Sequence, residues 1–171
     1  MNGIAGILNI ITISGWFAIF IGKDKNKDMI WPDQLWFWII AYDLWNFAYV
    51  YNCIPDHSFY SGAALLVSCT IPAFFFKKGA WLQHRAQTLA LWAMFSLTLP
   101  TFADSSMFAV KSSHNEVALL IVSGLALSAN VAVLIFHFGR VIKNKRNPLK
   151  DEIYKDLKEY KQIVTENKLN F

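Results

Sequence analysis

Long apolar stretches alternate with short polar connections along most of the chain. The apolar stretches lie near residues 3–22, 33–54, 58–76, 81–102 and 117–140. Each is close to the roughly 20 residues that a helix needs to cross a bilayer. Their apolar residues are continuous rather than alternating, which favours helices over the strands of a membrane barrel. The pattern therefore predicts an all-α protein in which residues 1–146 form an integral membrane bundle of about five transmembrane helices.

The pattern changes after Arg146, where charged residues become frequent. Asn147 suits the N-cap of a helix and Pro148 suits its first position. The apolar residues then recur at helical spacing, as Ile153, Leu157, Tyr160 and Val164. Residues 147–171 are therefore predicted to form an amphipathic cytoplasmic helix of about five turns. It could lie on the membrane surface, pack on the inner connections or pair with another copy of the chain.

Composition agrees with a membrane protein. The chain is 55% hydrophobic and only 16% charged, whereas soluble domains are about 25% charged. The net charge of +4 comes from basic residues in the polar connections, so it does not indicate nucleic-acid binding. Residues 23–28, 77–85 and 139–150 hold three, three and five basic residues, against one at 103–116. The positive-inside rule then predicts an external N-terminus and a cytoplasmic C-terminus.

The beginning of the chain has no basic region or cleavage site of a signal peptide. The first residues are uncharged and lie almost inside the first predicted span. We therefore consider that the chain is the C-terminal part of a longer protein. The two cysteines, Cys53 and Cys69, lie in or beside predicted spans and are interpreted as packing residues.

One acidic residue, Asp43, lies at the centre of the second predicted span. An ionised side chain at that depth costs roughly 2.5–3.5 kcal/mol on insertion scales, so such residues usually mark functional sites. Tyr42, Asn46 and Tyr49 follow a stripe along the same helix, and Asp43 borders it. The sequence therefore predicts a polar seam that faces the interior of the bundle.

Two other predicted spans carry an amide at similar depth, Asn9 in the first and Asn130 in the fifth. If these faces converge with Asp43, the bundle contains a polar site at its midplane. The alternative is that each polar side chain only holds two helices together, which contributes about 0.6 kcal/mol on average.

No lysine or arginine lies at the middle of a predicted span, so Asp43 has no evident cationic partner. The nearest candidate is Arg85, whose side chain is expected to extend towards the headgroups rather than inward. Asp43 is then expected to be neutral at rest because it holds a proton, or to be charged only when it binds a sodium ion or a cationic ligand.

Metal and cofactor motifs are absent from the sequence. The four histidines have no metal-binding spacing, and there is no phosphate-binding loop, dinucleotide fingerprint or nucleophile elbow. A haem between His84 and His137 has no supporting feature, and neither a metal nor a cofactor is expected. The adjacent Asp56 and His57 are considered as an outer acid–base pair, with a solvated turn as the simpler interpretation.

Three aromatic-rich runs carry a resemblance to a known family. They read WPDQLWFWIIAYDLWNFAYVYNC, DHSFYSGAALL and KKGAWLQHRAQTLALW. In these runs the chain resembles a family of uncharacterised bacterial integral membrane proteins, known only as a domain of unknown function. The resemblance implies a bacterial inner-membrane location and no activity or functional residue.

We therefore expect a membrane protein that binds or translocates a small solute or cation through a site of Asp43, Asn46, Tyr42, Tyr49, Asn130 and Asn9. One alternative is a membrane-embedded enzyme for a hydrophobic substrate, in which Asp43, a tyrosine or the outer pair does acid–base work. Another is a non-catalytic subunit that docks through its tail. The expected partners are the lipid bilayer and a second copy or another subunit.

Overall fold

The computed structural model describes residues 1–54 and 58–168, and the prediction of a mostly helical chain is confirmed. A π-helical segment, Ser58–Ala64, precedes α3, and a 3₁₀ turn, Trp16–Ala18, follows α1. The α-helices are α1 (Asn2–Ile11), α2 (Trp36–Cys53), α3 (Leu65–Phe75), α4 (Trp81–Thr98), α5 (Pro100–Asp104), α6 (Glu116–Asn144) and α7 (Lys158–Glu166). Two short strands, β1 (Phe20–Ile21) and β2 (Met29–Ile30), pair antiparallel, with Phe20 opposite Ile30.

The bundle is organised around α2. On one side α2 packs along α6, and α1 packs against both helices; on the other side α2 contacts α3, which packs against α4. The buried residues between α2, α3, α4 and α6 are Trp38, Ile39, Ala41, Cys69, Ala73, Trp81 and Val133. This arrangement gives α2 two separate interfaces, and the polar residues along it are divided between them.

One helix in the described residues, α6, is long and apolar enough to cross a membrane, with 29 residues. Its start is fixed by Asn115, whose side chain accepts hydrogen bonds from the backbone N–H groups of Val117 and Ala118. The other predicted spans are built from shorter helices. For example, α4 ends at Thr98 because Pro100 lacks an N–H and instead begins α5.

The first predicted span, 3–22, is not one continuous helix. Helix α1 has ten residues and is about 15 Å long. Beyond Ile11 the hydroxyl of Thr12 donates to the carbonyl of Leu8 (2.8 Å), and Gly15 adopts a φ of 69°. A Cβ on Gly15 would lie 2.5 Å from the Cβ of Asp33, so a glycine is required at this crossing. The apolar pattern did not indicate this turn, because the residues before and after it are both hydrophobic.

The five-turn helix predicted for the tail is also wrong, because only α7 is helical within residues 147–168. Asn147 caps a single turn: its side-chain oxygen accepts from the N–H of Leu149 (3.0 Å), and its own N–H donates to Asp151 Oδ2 (2.7 Å). The tail packs on the connections at one end of the bundle, which was one of the three arrangements left open. Its buried contacts there involve Ile30, Leu35, Ala80, Ile153, Tyr154 and Ile163.

Candidate functional site

Asp43 lies on the side of α2 that faces α3. The hydroxyl of Thr70 on α3 donates to Asp43 Oδ2 at 2.6 Å, and the indole Nε1 of Trp81 on α4 donates to the Thr70 oxygen at 3.0 Å. Three consecutive helices therefore contribute to one hydrogen-bond chain. Because Thr70 donates to the carboxylate and accepts from Trp81, the orientation of its hydroxyl is fixed.

The second carboxylate oxygen of Asp43 is buried, and no donor in residues 1–54 or 58–168 bonds to it. Arg85 lies near enough for its positive charge to act on Asp43. The guanidinium Nε and Nη1 of Arg85 are likewise buried, and no acceptor among the described residues bonds to them. Part of the Arg85 guanidinium is therefore enclosed by protein, and the direction of its side chain relative to the Asp43 carboxylate stays a prediction.

A groove of about 370 Å³ opens at the surface between α2 and α3, next to Asp43. We call it the Asp43 groove. Its walls are apolar except for Asp43 and Thr70, and its lining residues are Ile40, Asp43, Leu44, Phe47, Ala63, Leu66, Val67, Thr70 and Ile71. Val67 and Ile71 are 53% and 46% exposed, so the opening faces sideways out of the helix pair. The arrangement is a mostly apolar binding surface with one carboxylate in its wall.

The two tyrosines of the predicted seam have different environments. The Tyr42 ring stacks on Trp38 (centroids 5.5 Å apart) and meets Trp81 edge-on (5.0 Å). Tyr49 is 44% exposed and stacks on Trp45 at 6.3 Å. The side-chain oxygen of Asn46 is buried, with no hydrogen-bond partner in the part of the chain that the structure describes. Tyr42 thus supports the Trp81 end of the hydrogen-bond chain, whereas Tyr49 lies in an aromatic stack at the surface.

The two amides expected to join Asp43 serve other contacts. Asn130 is 1% exposed and donates to the carbonyls of Ala41 (3.1 Å) and Ala126 (2.8 Å). Asn9 donates to Ala5 of its own helix at 3.3 Å. Ala41 and Asp43 are two residues apart and therefore point to nearly opposite sides of α2. The structure thus places Asn130 in the α2–α6 interface and Asp43 in the α2–α3 interface, and it does not bring the three side chains together.

The sequence analysis missed a second polar cluster, which forms around Asp33. This carboxylate is 2% exposed and accepts from the hydroxyl of Ser14 (2.5 Å) and from the N–H groups of Ile153 (3.1 Å) and Tyr154 (2.8 Å). The Tyr154 hydroxyl in turn bonds to Nδ1 of His137 at 2.7 Å. In the sequence, an acidic residue next to a proline indicates only the start of a helix. Nothing near Asp33 in the sequence indicates hydrogen-bond partners about 120 positions away.

Within the described ranges there is no group of three or more histidine, cysteine, aspartate or glutamate side chains that could hold a metal ion. The Asp56 and His57 pair lies outside the described residues. His137, considered as a haem ligand, has one ring nitrogen engaged by Tyr154.

Comparison with known protein families places almost the whole chain in one group, since residues 1–166 match a family of unknown function, DUF5692. The chain belongs to that family. This agrees with the resemblance carried by the aromatic runs. No curated protein and no solved structure matches the chain.

Membership of DUF5692 assigns no reaction, ligand or functional residue. The chemical role of this family member therefore has to be inferred from its own structure. Among the described residues, two sites with buried polar groups are compared, the Asp43 groove and the Asp33 cluster. The Asp33 carboxylate is satisfied by protein contacts, because each of its oxygens accepts at least one hydrogen bond. At the far end of this cluster Nε2 of His137 is buried with no partner among the described residues, but no open space lined by His137 adjoins it in that part of the chain. The Asp43 groove has both open space and unused hydrogen-bonding atoms, which makes it the better candidate for ligand binding.

Proposed function

We propose that the chain is a bacterial inner-membrane protein that crosses the bilayer five times and binds or translocates a small solute or ion through the site around Asp43. In this proposal the N-terminus is external and the tail is cytoplasmic. Three features support it: the exposed apolar surface, the distribution of charge and the state of the Asp43 carboxylate.

The outward surfaces of the helices are strongly apolar. Soluble monomers rarely expose contiguous apolar patches larger than a few hundred Å². Here exposed apolar side chains recur on α1, α3, α4 and α6, including Ile4, Ile7, Ile10, Val67, Ile71, Phe75, Leu91, Met94, Leu97, Ile121, Leu125 and Ile135. Exposed apolar surfaces on four helices of one bundle suit a lipid environment. This applies also to the helices that are shorter than a full span.

The basic connections meet at one end of the bundle. Lys77, after α3, pairs with Asp24 and Asp28 in the connection between the two strands. Lys78 lies 3.9 Å from Glu166 of the tail. These contacts join connections that are predicted to be cytoplasmic, which supports the proposed orientation.

The observation that carries the function is the Asp43 carboxylate itself. One oxygen is held by Thr70, and the other is buried with no donor among the described residues, beside an open groove. A buried acceptor without a donor costs about 1–3 kcal/mol, and more when it is charged. A ligand that supplies the donor recovers that free energy on binding.

The test is a flux and binding measurement on the full chain reconstituted in vesicles. Asp43→Asn should abolish solute-, proton- or cation-dependent signals, because it removes the charge while it preserves shape. The matched control is Asp104→Asn, the same chemical change at an exposed position at the end of α5. Equal flux and equal binding in Asp43→Asn and the wild type would reject the proposal.

A second candidate is a membrane-embedded enzyme acting on a hydrophobic substrate, which is favoured by the sideways opening of the Asp43 groove. Asp43 would then act as the general acid or base. In that case Asp43→Asn should still bind the substrate but lose turnover, whereas for a binding or transport protein the occupancy of the site itself should fall.

A further inference from the structure

A separate pocket lies where the tail docks on the bundle, and we call it the tail pocket. Its volume is about 140 Å³, close to an engineered cavity of about 150 Å³ that binds benzene. Leu35 and Trp36 at the start of α2, Phe74 of α3 and Ile163 of α7 form part of its apolar wall. The tail pocket is therefore large enough for a head group or a short segment of chain, and both the bundle and the tail would contact that ligand.

The polar residues of the tail pocket carry both signs of charge. Lys78 and Glu159 both lie in its wall. The carboxylate of Glu166 is 3.9 Å from the Lys78 ammonium and accepts a hydrogen bond from Gln162, another wall residue, at 2.6 Å. An anionic ligand would meet two carboxylates and one ammonium, so the repulsion exceeds the attraction. A head group with one positive and one negative charge finds a partner for each.

One buried acceptor in the same wall calls for a hydrogen-bond donor. Gln34 is 6% exposed, and its side-chain oxygen is buried with no donor in residues 1–54 and 58–168. The other gap that Gln34 lines, beside Thr12 and Trp38, has no room for a water molecule. A primary ammonium carries three N–H donors, so it can serve both this oxygen and the carboxylate of Glu159. A trimethylammonium group has none.

The position of the tail pocket suits the surface of a bilayer. Trp36 in its wall is 53% exposed, and Phe75 and Phe76, which follow Phe74, are 79% and 82% exposed. The next residues are Lys77 and Lys78. Exposed aromatic side chains beside lysines are typical of the level of the head groups on the cytoplasmic side. In the proposed topology the tail pocket therefore faces the inner leaflet.

We propose that the tail pocket binds the head of an inner-leaflet phospholipid with a primary ammonium group, of the phosphatidylethanolamine class. The ammonium pairs with Glu159 and donates to the Gln34 oxygen, the phosphate lies towards Lys78, and the acyl chains leave along Trp36. Because the bundle and α7 share the ligand, lipid binding and docking of the tail stabilise each other. This inference lies beyond the site at Asp43, and it rests on the membrane location in the proposed function.

The experiment uses the full chain in phosphatidylcholine vesicles that contain a small fraction of a photoreactive phospholipid. Three such probes have identical acyl chains with a diazirine in one of them, and their heads are ethanolamine, choline and glycerol. Choline keeps the phosphate and the positive charge but has no N–H donor, and the glycerol lipid is an anion. Labelled peptides are mapped by mass spectrometry after digestion.

Two variants address the pocket, and each has a matched control. Glu159→Gln removes the carboxylate and keeps its shape, and Glu116→Gln makes the same change at an exposed position at the far end of α6. Gln162→Trp fills the pocket from the exposed side of α7, and Thr165→Trp places the same side chain on α7 outside the lining. Circular dichroism and tryptic cleavage after Lys155 in pure phosphatidylcholine identify any variant that misfolds or releases the tail.

We expect the ethanolamine probe to label the start of α2, the end of α3 or α7 about three- to fivefold more than the other two, as for a partly exposed ion pair. Glu159→Gln and Gln162→Trp should lose this preference, whereas both controls and Asp43→Asn should retain it. Unlabelled dioleoylphosphatidylethanolamine in the vesicles should also slow tryptic cleavage of the wild-type tail after Lys155.

Equal labelling of these segments by the three probes, stronger labelling by the glycerol probe, or an unchanged preference in folded Gln162→Trp overturns the proposal. The proposed function still stands in each of these cases if flux depends on Asp43. If none of the probes labels any helix of the chain, the membrane location fails, and the proposed function fails with it.

Discussion

At the scale of single residues, Asp33 joins distant parts of the chain. Its carboxylate bonds to Ser14 before the first strand and to the backbone of Ile153 and Tyr154 in the tail. An ionised carboxylate accepts several hydrogen bonds at once, and bonds to charged groups contribute about 1.5–3 kcal/mol each. Asp33 therefore holds the tail in place by accepting from backbone N–H groups that would otherwise be buried without partners.

We predict that Asp33→Asn loosens the tail by about 1–3 kcal/mol, because the amide places an NH₂ group where the protein offers only donors. The measurement is the rate at which trypsin cleaves the reconstituted chain after Lys150 or Lys155. The control is Asp151→Asn, whose carboxylate is exposed and accepts from the nearby N–H of Asn147. Equal cleavage rates in wild type and Asp33→Asn would show that the cluster does not hold the tail.

At the scale of elements, docking of α7 depends on a close approach at Gly79. Gly79 has a φ of 84°, and a Cβ there would lie 2.6 Å from Cγ2 of Ile163 and 2.9 Å from Cγ2 of Ile30. The N–H of Trp31 also bonds to the Gly79 carbonyl at 2.8 Å. The turn between α3 and α4 therefore sets the distance between the tail and the strand pair.

Gly79→Ala is predicted to displace α7 and to lower the free energy of unfolding by more than about 1 kcal/mol, since the side chain is strained at this φ and also meets Ile163. Gly139→Ala provides the control, because its Cβ would meet nothing within 4 Å and alanine favours a helix. Urea denaturation followed by tryptophan fluorescence compares the two variants. A Gly79→Ala midpoint at or above that of Gly139→Ala would contradict the steric argument.

The segment of the tail before α7 provides a pH-dependent contact with the end of α6. The hydrogen bond from Arg140 lowers the pKa of Asp156 to about 2, and Arg146 adds to the effect. Because the folded-state pKa lies below the usual value of about 3.9, this stabilisation is complete above about pH 4 and is lost as the pH falls towards 2. Asp156 is 40% exposed, so salt also weakens the contact.

We therefore expect the wild type to exceed Asp156→Asn in urea midpoint at pH 7, and the difference to shrink progressively as the pH falls from about 4 to about 2. Asp151→Asn, which removes a carboxylate that accepts a hydrogen bond within its own turn, serves as the control. A difference that persists unchanged at pH 2 would exclude the Arg140 contact as its source.

At the scale of the whole molecule, the proposed topology assigns opposite sides to the two ends of the bundle. One end holds the basic connections and the tail. At the other end the Tyr51 hydroxyl bonds to Ser113 at 2.8 Å and accepts from the N–H of Asn115 at 3.3 Å. In the proposed topology, the five crossings put these two ends in different compartments.

Single cysteines at the exposed positions Lys25 and Ser105 test this topology in a Cys53→Ser background, with the buried Cys69 retained. A membrane-impermeant maleimide applied to right-side-out vesicles should label Ser105→Cys and leave Lys25→Cys unmodified until the membrane is opened. Equal labelling of both positions in sealed vesicles would reject the five-span topology.

The helical class and the positions of most helices could be predicted from sequence, because apolar periodicity and capping are local. Asn115 marks the start of α6 for this reason. The break in the first span was not predictable, since Gly15 is required by a crossing with Asp33 rather than by its neighbours. The tail was misjudged because Ile153 and Tyr154 are buried against the bundle instead of forming one face of a helix.

By itself, the sequence determined the helical class and the family. It also identified Asp43 as an acidic residue whose burial costs enough free energy to indicate a site. Tertiary structure alone decided what surrounds that acid. It turned Asn130 to the other interface of α2 and brought Thr70 to the carboxylate. The physical reason is that the free-energy cost of burying an acidic side chain depends on that residue and its depth alone. The hydrogen bonds that offset this cost depend on which helix faces pack together.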